Sequence, residues 1–554
     1  MRDKQLRTCL RQSPTAIVKA RRDPALRAGE DVLKSGPATM HSSPSNARRL
    51  PPRLALLVAV ALWLATASSR AQSIALPWSS HGHDPQHSGL SLVASQPLTR
   101  IVWQTPVDLA PQYSNGTTLY AHYGSPLITR QNTVIVPVKT GPSDGFRVEG
   151  RSAADGSLKW TQPTDYTLPS YNWVPSYGVA LTPKNRVYFP GAGGTVYFRD
   201  APDAVSGATG QLAFYGLANY QADPATFASR VRINTPLTSD RYGNIFFGFQ
   251  VNGSTTPVLE SGIARIAEDG TGTWIAAHTA ADDAGIAKVV MNCAPALSND
   301  HKTLYVAVSS GDFSGGYLVA INSSTLAPIS KVRLKDVRNP GNDALLTDSG
   351  SSCPTVGPDG DVYYGVLESP FGSNRYRGWL LHFDKDLAQT KPAGAFGWDD
   401  TVSIVPSSLV AAYHGAAKYL LLTKYNNYVV GGGGGDNRVA ILDPNDTMTD
   451  PQSTATVMKE IATALGPTAD IEYPSVPTAV REWCVNTVAV DPFTKSAIVH
   501  SEDGKIYRWD FASNTLMQPL TLTAGIGEAY TPSVIGVDGT VYVIANAILF
   551  AIGK

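Results

Sequence analysis

The sequence predicts an all-β fold, an eight-bladed β-propeller of four-stranded antiparallel blades whose last blade is completed by a strand from the N-terminal side. Three observations carry this. From about residue 123 onward the chain resembles itself eight times. Each copy is a run of short strands separated by turn residues, the pattern of a propeller blade. The eighth copy, "GEAYTPSVIGVDGTVYVIANAILFAIGK", holds three strands, while a strand-like stretch at 99–109 stands unassigned ahead of the first copy.

Five stretches superpose directly: "GSPLITRQNTVIVP", "TPLTSDRYGNIFFG", "APALSNDHKTLYVA", "CPTVGPDGDVYYG" and "TPSVIGVDGTVYVI". In each, a small residue or proline precedes two or three apolar residues, then a turn on Asp, Asn or Gly, then an apolar–aromatic–apolar strand. "SYGVALTPKNRVYFP", "VPSSLVAAYHGAAKYLLL" and "VNTVAVDPFTKSAIVHS" follow with looser turns. Most copies add a third strand, as in "GGTVYFRDA", and several a fourth, as in "GSLKWTQ". A β-helix would repeat at a shorter interval, and a sandwich would not repeat. An uncovered sheet edge invites unwanted pairing, so 99–109 is expected to pair with 547–552 and close the ring.

Composition agrees. Of 554 residues 43% are apolar and only 16% charged, and 49 Gly, 39 Pro and an excess of Tyr over Phe favour strands and turns. The 45 basic and 45 acidic side chains cancel, but 13 and 4 of them fall within residues 1–71, leaving 32 against 41. The remainder is acidic with no basic stripe, which argues against nucleic-acid binding. The basic portion reads as a leader. Arg48, Arg49 and Arg53 precede an apolar run over about 54–67, followed by small-residue cleavage sites at Ala65-Thr66-Ala67 and Ser69-Arg70-Ala71. That run is short of the about 20 residues a bilayer span needs, so a signal peptide is expected, with an uncleaved anchor as the alternative. The chain is thereby expected in the periplasm or outside the cell, with no stable membrane span after cleavage, as a monomer. Met40 is the expected start, with 1–39 as an extension ahead of it.

The expected division is therefore an extension and signal peptide (1–71), a docking segment (72–98) and the propeller (99–554) with an insertion at 447–480. Within the insertion, "ATVMKEIATALG" has apolar residues at helical spacing and ends in Gly, predicting one short helix at 455–466. The glycine-rich stretch 429–442 leads into a strand rather than a helix, so it is a hairpin loop and not a phosphate loop.

"GRSAADGSLKW" ends the first unit, and it resembles the Trp-bearing repeat of the quinoprotein-dehydrogenase-like propellers. Gly156 and Trp160 keep the spacing, while Ser152 stands where that repeat has Asp. "WSSHGHDPQHSGLS" is similar to the segment that precedes the first blade in secreted members. The resemblance spans about residues 78–554 and implies that the Trp residues dock blade on blade. It also implies pyrroloquinoline quinone and Ca²⁺ in the central channel, held by a carboxylate and an amide, with a catalytic Asp. The alcohol dehydrogenases add a disulfide between adjacent cysteines, and this sequence has no such pair.

Residues just ahead of each innermost strand should form the channel mouth. Aligned there are Glu482-Trp483, Glu528 with Tyr530, and Asn292. Glu482 and Glu528 are the candidates for a hard cation such as Ca²⁺, and Trp483 for stacking on a flat ligand; a hydrated polar rim is the alternative. Cys293 and Cys353 align one residue apart, so they leave neighbouring strands on opposite faces and can meet across a blade gap as a disulfide. No CxxC or CxxCH motif is present. The His81, His83, Asp84, His87 cluster has metal-ligand types, but the resemblance makes it a docked peptide in which Asp84 and Ser88 cap a turn. Three readings follow: an exported propeller that binds a protein or a carbohydrate, a quinone-dependent dehydrogenase of alcohols or sugars, and a polysaccharide lyase or glycosidase using Glu482, Glu528, Tyr530 or Tyr177.

Overall fold

Eight antiparallel sheets follow one another along the chain, each built on a path of four strands and two of them, blades 3 and 4, with a fifth short strand, in a computed structural model that describes residues 78–114, 118–119, 123–142, 144–168, 177–525 and 531–554. Blades 1 to 7 begin with the innermost strands Leu127–Ile128, Ala180–Leu181, Thr238–Ser239, Ala296–Leu297, Thr355–Val356, Ser403–Pro406 and Ala489–Asp491. Blade 8 begins at Val534–Ile535, continues through Val541–Ala545 and Ile548–Gly553, and takes its outer strand from Arg100–Pro106. The pairing runs antiparallel from Arg100 opposite Gly553 to Pro106 opposite Ile548, with a bulge between Ile101 and Trp103. The ring is closed as the sequence predicts.

The Trp motif explains how blades lock. Trp103, on the outer strand of blade 8, donates its indole N–H to Ala153 O of blade 1 at 2.7 Å, and Trp160 of blade 1 donates to Pro202 O of blade 2 at 2.7 Å. Gly156 sits at φ 72°, and a Cβ there would fall 2.7 Å from the Trp103 ring. Only glycine satisfies both the left-handed turn and that close approach. Hydroxyls lace the inner strands as well: Thr238 donates to Pro295 O, Thr355 to Val402 O and Ser403 to Val488 O, each crossing to the next blade.

The stretch 455–466 is a strand, not a helix. Thr456–Leu465 is the outer strand of blade 6 and pairs with Arg438–Thr449 from Arg438 opposite Leu465 to Thr449 opposite Thr456. Its helical spacing of apolar residues is overridden by pairing, to which β-branched Val457, Ile461 and Thr463 are suited. The hairpin absorbs the first half of the expected insertion, leaving a turn-rich loop at 466–480. Short helices occur at Leu217–Ala222, Pro224–Arg230 and Ala277–Ala281. No helix among the described residues is long and apolar enough to cross a membrane.

Residues 78–98 form a strap around the channel. Backbone N–H groups of six innermost strands point at it: Ile128 to Trp78 O, Leu181 to Ser79 O, Leu297 to Pro85 O, Val356 to Gln86 O, Ile404 to Ser88 O and Val490 to Gly89 O, all at 2.8–3.0 Å. An innermost strand has one side unpaired by its own blade, and buried N–H groups left without acceptors are costly. One peptide supplies those acceptors to six of the eight blades.

Candidate functional site at the channel mouth

Aligning the blades on their innermost strands, the position four residues upstream holds Asn234, Asn292, Ser351 and Asp399 in blades 3 to 6, exposed by only 1–3%. Asn292 (φ 63°) and Asp399 (φ 55°) are left-handed, a conformation that Asn and Asp tolerate better than other L-residues. Asn292 N–H bonds Asn234 O at 2.9 Å, and its amide donates to Asp348 O and Gly350 O at 3.2 Å. Ser351 donates twice to Asp399 Oδ1, from N at 2.9 Å and Oγ at 2.5 Å.

A hydrogen-bonded chain joins this ring to the strap. His81 Nε2 donates to Asn486 Oδ1 at 3.1 Å, and Asn486 Nδ2 donates to Ser351 Oγ at 2.8 Å and O at 3.1 Å. Asn486 of blade 7 thus reaches past blade 6 to blade 5 and bridges the interior. Asp84 accepts from Gln86 N at 3.1 Å and Ser88 N at 3.0 Å and pairs with His83 and the Ser88 hydroxyl, the turn-capping role that the resemblance implies. Burial pushes the His81 imidazole down to about 3, helped by His87. Burial likewise pushes His87 down to about 4, although its bond to Pro354 O and nearby Asp84 oppose this. His81 and His87 are neutral structural groups.

Asp399, Asp400 and Lys424 form a buried charged cluster behind the ring. Lys424 Nζ lies 3.7 Å from Asp399 Oδ2, and Thr423 Oγ1 donates to Asp400 Oδ2 at 2.5 Å. Burial raises the Asp400 carboxyl to about 7 and Asp399 adds to the rise, while Lys424 and Thr423 oppose it. Beside this cluster a small recess opens among blades 4, 5 and 6, lined by Met291, Gly350, Ser352, Tyr364, Trp398 and Asp399. Half-buried Trp398 offers a ring edge or face, and Ser352, Thr347 and Asp399 offer polar atoms. Mostly apolar walls with few polar groups are the chemistry of a small-ligand site.

Of the residues the sequence singles out, Asn292 lies in the ring. Trp483 does not reach the channel. It is fully buried, its backbone N–H bonding Asn426 Oδ1 at 3.0 Å and its indole N–H Asn437 O at 3.3 Å, because its large apolar ring packs beneath blade 7 against Tyr507. Glu482 is 9% exposed, and its carbonyl accepts from Ser501 Oγ and Glu502 N at 3.0 Å. Tyr177 is core, stacked on Phe146 with its hydroxyl on Pro190 O. Cys293 and Cys353 are buried, reduced thiols. Glu528 and Tyr530 lie outside the described residues. Asn234, Ser351, Asp399, Asp400, Lys424 and Asn486 were missed; stricter alignment on the innermost strands brings the first three into one column and flags Asp399-Asp400 ahead of blade 6.

A quinone with Ca²⁺ does not fit the described residues. Asp400 is engaged by Thr423 and the Asn292 amide by two carbonyls. Trp483 has no face free for stacking, and no group of three or more His, Cys, Asp or Glu among the described residues is placed to hold a metal.

Eight such blades, closed by a strand from the N-terminal side, are an eight-bladed β-propeller. No protein-family model matches the chain, and no curated protein does. Among solved structures it is similar to a europium-containing methanol dehydrogenase, with a TM-score of 0.50 and 10% identity over 84% of this chain and 89% of that one. It is also similar to a quinohemoprotein alcohol dehydrogenase from Comamonas testosteroni (TM-score 0.49, 12% identity, 88% and 82% covered) and to BamB from Moraxella catarrhalis (0.45, 11%, 82% and 99%). At such identities the likeness is one of fold alone.

Proposed function

We propose that this chain is an exported binding propeller, acting as a module for a carbohydrate or protein ligand that enters the cleft beside Trp398. One observation carries the reading: the strap spans six innermost strands, Asn486 bridges to Ser351 inside, and a recess opens beside Trp398 among blades 4, 5 and 6. An aromatic wall next to Asp399, Thr347 and Ser352 suits a sugar ring, whose C–H face stacks while its hydroxyls donate to the carboxylate. A tyrosine- or serine-rich protein loop is the other occupant the same chemistry accepts. The leader at 48–71 supports export, and the acidic propeller surface speaks against nucleic acid.

A catalytic reading needs an acid and a base inside the cleft. Asp400, the carboxyl raised toward neutrality, is fully buried against Thr423 and does not line it. The test is titration of the full chain with a set of oligosaccharides, followed by tryptophan fluorescence and calorimetry. Saturable binding that weakens at least tenfold in both Trp398→Ala and Asp399→Asn is expected. Dye reduction with an alcohol or sugar after addition of pyrroloquinoline quinone and Ca²⁺ would overturn the reading, as would binding indifferent to both substitutions.

A further inference from the structure

Cys293 and Cys353 lie on the entries to the innermost strands of blades 4 and 5, next to the cleft. Ser352, which precedes Cys353, lines the cleft, as does Tyr364, whose hydroxyl faces Cys293. The Cys353 sulfur accepts from Ala294 N at 3.1 Å and sits 3.5 Å from Asn292 O. Those atoms belong to the two peptide groups flanking Cys293. A sulfur held against both brings the two residues into the separation that a disulfide spans.

We propose that Cys293 and Cys353 are a cross-linking site, closing into a disulfide that staples blade 4 to blade 5 when the chain folds in an oxidising compartment. The bond encloses a loop of about 60 residues and so restricts the unfolded chain more than a short-range cross-link would. The chemistry balances with a disulfide as oxidant, such as oxidised glutathione. One cysteine thiolate attacks the oxidant and releases one reduced thiol. The second cysteine then displaces the other half, so that two S–H bonds are lost, one S–S bond forms, and the oxidant leaves as two thiols.

Burial decides when this happens. Both cysteines are at most 1% exposed, and burial pushes Cys293 up to about 12 and Cys353 well above its usual value. The thiolate is the attacking species, so the folded, reduced protein is inert and the bond forms while the blade entries are still open. Export through an oxidising compartment and folding in a reducing one therefore give two forms that do not interconvert. Cys484, also buried, lies at the entry to blade 7, two blades from Cys353, and is the competing partner.

The test uses the full chain, unfolded with reductant and refolded either with reduced and oxidised glutathione or with reductant alone. Peptide mapping without reduction should find a peptide joining Cys293 to Cys353, two hydrogens lighter than its parts, only after oxidative refolding. That form should have the higher urea midpoint. The reduced form should resist both glutathione and iodoacetamide at these positions until unfolded. Cys484→Ser should leave the link intact and Cys353→Ser should abolish it; should the latter fail to fold, Cys293→Ala gives the same readout. Links to Cys484, glutathione adducts in place of the bridge, or two thiols surviving oxidative refolding would each overturn the proposal.

Discussion

Acid should loosen the propeller through its strap. His81 and His87 are held neutral by burial at about 3 and about 4, against 6.5 in an unfolded chain. A base with a depressed folded value imposes no cost above pH 6.5, where both states are neutral. As pH falls below 6.5 the unfolded chain takes up protons that the folded one refuses, and stability drops until the folded values are reached. At pH 5 each histidine is about 1.5 units below its unfolded value, worth about 2 kcal/mol, or about 4 kcal/mol for the pair. The groups facing them are Asn486 and His87 around His81, and Pro354 O and Asp84 around His87. Asp400 works in the opposite sense, because its carboxyl is raised from 3.8 to about 7. Its neutral folded form gains about 2.5 kcal/mol between pH 7.5 and 5. Native protein alone therefore shows a blunted response. The decisive quantity is the difference between native protein and the double variant His81→Gln, His87→Gln, each unfolded in urea at pH 7.5 and pH 5. Native protein should lose about 4 kcal/mol more than the variant over that interval. Equal changes in the two proteins would refute the buried-neutral assignment and, with it, the histidines' part in holding the strap.

Asp400→Asn removes the carboxyl whose folded value is raised, so the destabilisation that grows from pH 4 to pH 8 should disappear, a relative gain of about 4 kcal/mol at pH 8; urea midpoints across that range check it. Gly156→Ala places a Cβ 2.7 Å from the Trp103 ring at φ 72°, and the combined backbone and packing cost should be about 3 kcal/mol, read from urea unfolding. A chain ending at Asn546 lacks Ile548–Gly553, the partner of Arg100–Pro106. It should lose cooperative unfolding and become sensitive to protease at the exposed strand, whereas retention of a sharp transition would show that closure does not bind the ring together.

Closure was legible in the sequence because a propeller's account of strands must balance. Three strands at the end of the chain and one stray strand at 99–109 can be paired with each other to cover the open edge, and the stray strand's apolar–Trp character matches that of the first unit's fourth strand. The 455–466 stretch misled because spacing of apolar residues describes a face and not a partner. Thr456–Leu465 has outward residues at both periods, and only the facing strand Arg438–Thr449 decides between them. The site was harder for a related reason. A ring around an axis is built from one residue per blade, so its members lie tens of residues apart and carry no local motif. They can be found only when the repeats are aligned to the residue. Anchoring on the N–H groups that meet the strap places Asn292, Ser351 and Asp399 in one column, and the innermost strand Thr238–Ser239 adds Asn234 to it. A looser alignment of the first strands sets Trp483 over Asn292, although Trp483 lies six residues ahead of Ala489 and Asn292 only four ahead of Ala296, and the size of Trp483 suits the core as well as it suits a ligand. In this fold the strap does more than cover edges: in blades 4, 5 and 6 the N–H group it receives lies five residues after Asn292, Ser351 and Asp399, so one peptide holds those three ring positions in register.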